Sequence, residues 1–180
     1  MRLPVCHMSL LPRYARLQQQ LPAGSALTLL LLDGDETRLA TGSGIAPPRL
    51  LSLPLGYRRT AQQHFRHQPP TAAEIELAIM TVEDALAPAR AQLAPASRLY
   101  SQDGALRALA AHAGVHGSGT LWLSTAQLEF TFGRFAEVVQ GRPAALEGLP
   151  TDGEFAARLL ILRELSHHLC FDGIHLLPER

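Results

Sequence analysis

The chain contains no lysine. All sixteen of its basic residues are arginine, and sixteen acids balance them, so the formal net charge at neutral pH is zero. Without a net field the chain has nothing to draw it to nucleic acid or to an anionic membrane, and neither partner is expected. Cysteine is scarce: Cys6 and Cys170 stand far apart in 180 residues. That excludes a disulfide framework and fits a reducing compartment, so a cytoplasmic location is expected. Long apolar runs are missing as well. The longest, Leu27 to Leu32, is far too short to span a bilayer. The first residues do not read as a signal peptide, because Pro4, His7 and Pro12 interrupt them. There is no internal repeat, no low-complexity tract, no G-x-S-x-G elbow, no P-loop and no paired-carboxylate motif.

What is present is enough apolar material, 47% of 180 residues, for one domain with a real core. The all-arginine basic set suits bidentate recognition of phosphate; a GC-rich coding sequence would give the same bias. Residues 1–24 are punctuated by proline and read as an N-terminal extension with a short helix over Arg13 to Gln20. The spacing then predicts strands over Leu27 to Leu32 and Glu36 to Thr41, joined by an Asp33-Gly34-Asp35 hairpin, and a third strand over Arg49 to Leu53.

Helices follow. The first runs from Gly56 to His67 and stops at Pro69-Pro70. Thr71 with Glu74 three residues on forms a capping box for a second, whose apolar residues Ile75, Ala78, Ile79, Val82 and Leu86 recur at helical spacing. A strand over Ser97 to Tyr100 and a helix capped by Asp103 come next. Ser124 opens a further helix. Thr151 or Asp152 caps the last long one, with Phe155, Leu159, Leu162 and Leu165 inward, and Ile174 to Leu177 is a terminal strand.

Several polar groups are candidates for chemistry. Asp33, Asp35 and Glu36 could hold Mg or Ca, although adjacent acids usually face water. Arg58, Arg59 and Arg66 form a basic helix face. His167, His168 and Cys170, with His175 beyond, are dense enough to suggest zinc, but neighbouring helical residues point about 100° apart. His112 and His116 are spaced to share a helix face, except that Gly114 intervenes.

Ser52-Leu53-Pro54-Leu55-Gly56, followed by Arg59-Thr60-Ala61-Gln62-Gln63-His64-Phe65, resembles the "S-L-x-x-G" strand end and "R-x-x-E-x-x-F" helix of the exopolyphosphatase and guanosine pentaphosphate phosphohydrolase family, in its second actin-like domain. The resemblance covers roughly residues 25–180 and rests on element order and weak motifs. It implies an α/β, ribonuclease-H-like fold with a five-stranded mixed sheet flanked by helices, and a single actin-like half-domain over 25–180. That family's phosphate turn, "D-x-G-G-G-S-x-E", falls here on Leu31, Asp33-Gly34-Asp35, Glu36 and Arg38; its "G-x-S-G-T" turn falls on Ser101 to Ala105. The residues left for phosphate or ligand binding are Gly34, Arg58, Arg59 and Gly104. The first domain's catalytic Glu and phosphate loop have no counterpart. The resemblance therefore implies no catalytic residue and no cofactor, Mg entering only if the chain is active. It implies a binding, regulatory or oligomerisation module that forms a homodimer or joins a separate subunit. The alternative is an accessory subunit of a phosphohydrolase whose catalytic half is another chain. Removal of the first domain would expose a face, for which the helices over Thr71 to Ala87 and Thr151 to Leu169 are the candidates.

Overall fold

The computed structural model describes residues 10–178. Helix α1 (Leu10–Gln20) leads into three antiparallel strands, β1 (Ala26–Leu32), β2 (Thr37–Ser43) and β3 (Arg49–Leu53). Helices α2 (Tyr57–His64) and α3 (Ala72–Leu86) come next, followed by β4 (Arg98–Ser101) and α4 (Gly104–His112). The remainder is β5 (Leu121–Ser124), α5 (Thr125–Val139), α6 (Ala144–Glu147), α7 (Gly153–His168) and β6 (Gly173–Leu176). The sheet order is β3-β2-β1-β4-β6-β5. β4 is parallel to β1 and β6 is parallel to β4, while the β5 edge is antiparallel to β6.

The expected sheet of five strands is corrected here to six. The added strand is β5, whose four residues, Leu-Trp-Leu-Ser, are buried and open in alternation. Its partner among the described residues, β6, lies far ahead in the chain, so no local pattern announces it. β1 is apolar at every position but Thr28 because both faces of it are covered. Leu27 and Leu29 pack with Leu10, Tyr14 and Leu17 of α1, which lies in the segment read as an extension. Leu30 and Leu32 face the larger core on the other side.

α7 is the centre of that larger core and packs against α2, α3, α4 and α5. Its buried residues lie on every side: Ala156, Ala157, Leu160 and Ile161 are buried as well as Leu159, Leu162 and Leu165. This corrects the expectation that α7 offers an exposed association face. α3 does leave Leu77 and Met80 open, at 59% and 61% exposure.

The Thr71 capping box forms as the sequence predicts, with Glu74 donating its amide to Thr71 Oγ1 and accepting from the Thr71 amide at 2.8 Å. Burial alone would raise the Glu74 pKa, but hydrogen bonds from the Thr71 amide, His67 and the Arg66 amide outweigh it and pull the carboxyl from 4.5 down to about 2. A depressed carboxylate pKa gives stability that is present above pH 4.5 and is lost as pH falls toward about 2. Glu74→Gln keeps an acceptor but loses the charge, and is therefore expected to unfold more easily at pH 6, by about 1 kcal/mol. It should also lose less than the parent chain between these two pH values. Urea titrations of both proteins across that window check the sign.

Candidate functional site

The C-terminal ends of β1, β4 and β6 point the same way, and β3 ends at that edge too, since it is antiparallel to β2 and β2 to β1. In open α/β sheets this edge is where ligands bind. The topology brings to it the hairpin after β1, the turn after β4 and the N-terminus of α2. These hold all the residues named for ligand binding: Gly34, Arg58, Arg59 and Gly104.

The hairpin is docked on α2 by backbone. Asp33 carbonyl accepts from the Tyr57 amide at 3.1 Å, and Gly34 carbonyl accepts from the Arg59 amide at 2.9 Å. Gly56 makes this possible: a Cβ built there would lie 2.3 Å from the Gly34 oxygen. Arg58 lies over Gly34, whose hypothetical Cβ would be 2.7 Å from Arg58 Nη1. The guanidinium is 3.9 Å from Glu154 and faces the Tyr57 ring, on which Arg158 also sits at 3.4 Å.

Arg38 governs the hairpin's charge. It is 2% exposed, with Nε 3.2 Å from Glu36 and Nη2 3.6 Å from Asp33. Ser52 donates a further hydrogen bond to Glu36. An open cleft of about 450 Å³ lies above, lined by Asp33, Asp35, Glu36, Ser52, Pro54 and Arg59. Three carboxylates thus meet two guanidiniums, one of them buried beneath the floor.

The turn after β4 is tied internally. Ser101 donates to Leu30 carbonyl, and its Oγ accepts from the Asp103 amide. Asp103 caps α4 by accepting from the Ala105 amide at 2.8 Å. Gly104 is the first residue of α4, beside that cap. Arg107, which the sequence reading did not single out, holds the neighbouring loop. Its guanidinium donates to the carbonyls of Leu176, Gly117 and Gly119. Only the folded chain brings those acceptors together.

The histidines disperse. His167 pairs with Glu129 and His168 with Glu83 and Glu164. His112 Nδ1 is 3.1 Å from the Gly148 carbonyl. Cys170 is a free, exposed thiol; Cys6 lies outside the described residues. His175 stacks on Tyr100 at 4.8 Å and meets Trp122 at 4.5 Å. Burial, aided by Arg98, lowers its pKa. His175 and Trp122 border a hollow of about 500 Å³ at the opposite end of the parallel strands, with Arg98 and Gly173. Among the described residues no three metal-ligating atoms converge at the hairpin; the trio that does is Glu83, Glu164 and His168.

No protein-family model matches the chain, and no curated protein matches it in sequence. Solved structures do match it in fold. A Ppx/GppA enzyme of Aquifex aeolicus superimposes with a TM-score of 0.69 at 17% identity, over 88% of this chain and 55% of that one. The type II crystal structure of the Aquifex aeolicus Ppx/GppA phosphatase gives 0.70 at 17%, over 92% and 57%. An exopolyphosphatase from Cytophaga hutchinsonii gives 0.66 at 12%, over 92% and 57%. The fold is therefore that of one half of these structures, the actin-like α/β arrangement, and the chain spans little more than half their length. Among the described residues no helix is long and apolar enough to cross a membrane.

Proposed function

We propose that the chain is a non-catalytic, exopolyphosphatase-like half-domain that serves as a binding or oligomerisation module. The observation that supports this most is internal occupation of both turns at the strand ends. Buried Arg38 spends its charge on Asp33 and Glu36, and Asp103 takes an amide at the start of α4 that an anion would need. In the resembling family these turns cradle phosphate.

The partner we favour is a second copy, since symmetric dimers are the commonest soluble oligomers. Leu77 and Met80 on α3 are the apolar residues offered to it. A separate subunit that supplies the other half of a phosphohydrolase is the second reading, favoured by the span of little more than half in the matched structures. The cysteine scarcity supports a cytoplasmic setting.

Purified protein with Mg and polyphosphate or guanosine pentaphosphate is expected to release no phosphate above blank. Turnover that disappears in Asp33→Ala or Arg59→Ala would overturn the non-catalytic reading. Light scattering at micromolar concentration is expected to give twice the chain mass, and Met80→Glu to restore the monomer. A strict monomer that co-purifies with nothing contradicts the association.

A further inference from the structure

We infer that Glu83, Glu164 and His168 form a binding site for a divalent transition metal, with zinc as its natural probe. The site is independent of the cleft described above. Glu164 and His168 sit four residues apart on α7, so they share one helix face. Glu83 reaches them from α3, which packs against that face. His168 Nε2 is 3.2 Å from Glu83 Oε1 and 3.6 Å from Glu164 Oε2, and all three ligand atoms lie within 4.8 Å of one another. Ligands bound at about 2.0–2.1 Å in a tetrahedral zinc site are about 3.3–3.4 Å apart. The two measured separations bracket that value.

Charge points the same way. Glu83, Glu129 and Glu164 bring three negative charges to this patch, and Arg163 brings one positive charge, paired with both Glu129 and Glu164. His167 is engaged with Glu129. Carboxylates outnumber guanidiniums in this group by two, a deficit that one divalent cation makes up. The Nε2 atom of His168 has at most one proton to offer to two carboxylates, whereas a metal satisfies all three groups. Glu83 and Glu164 also stand near the C-terminal ends of α3 and α7, where a helix disfavours negative charge. Glu164 is the anchor, its side chain only 4% exposed, while Glu83 and His168 are open enough to leave a fourth position to water. One imidazole with two carboxylates suits zinc or manganese better than the all-oxygen cages of Ca and Mg. The bound ion would staple the end of α3 to the end of α7.

The test uses the full chain freed of metal with a chelator and titrated with zinc chloride by calorimetry. One equivalent is expected to bind and to raise the melting temperature. Imidazole resonances of His168 should shift while those of His167 hold. Glu164→Ala risks the fold, so the informative variants are His168→Ala and Glu83→Gln, on the open side. Each is expected to weaken zinc binding by about 100-fold or more, beyond the 10–100-fold typical of an outer-shell partner. His167→Ala should bind as the parent chain does. Absence of one-equivalent binding, or affinity unchanged from the parent chain in His168→Ala and Glu83→Gln, would overturn the site.

Discussion

Replacing Leu160 with alanine is expected to lower the unfolding free energy by about 2–5 kcal/mol, the range for a fully buried leucine whose cavity cannot collapse. Leu160 is 0% exposed on α7, which touches α2, α3, α4 and α5 at once. A helix enclosed on so many sides has no free neighbour to move into the void. At roughly 2–4 °C per kcal/mol for a chain of this length, the melting temperature should fall by about 4–20 °C. Leu146→Ala is the matched control, because Leu146 is 72% exposed on α6; its stability should change by no more than about 0.5 kcal/mol. Equal losses in the two variants would mean that α7 is not the centre of the core.

Leu160 also marks where sequence patterning stopped. Phe155, Leu159, Leu162 and Leu165 show a helical stripe, and a stripe implies one buried face. The residues between them, Ala156, Ala157, Leu160 and Ile161, are apolar too, and only the surrounding helices decide that they are buried. Features set by neighbouring residues were legible. β3 lies at Arg49–Leu53 as expected, and the Thr71 capping box and the Asp103 cap both form. Features set by distant residues were not. β5 has no partner until β6, and α6 is a single turn of four residues after Pro143. The charges of the hairpin were legible too, but not their bookkeeping. Arg38 faces Leu31 in the β1–β2 register, and that placement sends its guanidinium back to Asp33 and Glu36. The meeting of Glu83 with His168, across 85 residues, has no local signature at all.

Gly56→Ala is expected to detach the hairpin from α2 and to cost about 3–5 kcal/mol, built from overpacking at about 1–3 kcal/mol and two backbone hydrogen bonds at about 1 kcal/mol each. Backbone conformation is not the reason, since Gly56 has φ −126°, which any residue adopts. The reason is space. The added methyl would lie 2.3 Å from the Gly34 oxygen and 2.4 and 2.5 Å from the Asp35 backbone carbon and nitrogen. Main chain cannot turn aside as a flexible side chain does, so the hairpin must move. The bonds that join Asp33 to Tyr57 and Gly34 to Arg59 would then break, and Arg58 would lose its place over Gly34. Gly133→Ala supplies the opposite sign: it stands in α5 with nothing within 4 Å of an added Cβ, and alanine there should stabilise by about 0.5–1 kcal/mol. Urea unfolding gives both values, and amide shifts from Asp33 to Glu36 and from Tyr57 to Arg59 locate the damage. A neutral Gly56→Ala would show that close backbone approach does not hold the cleft together.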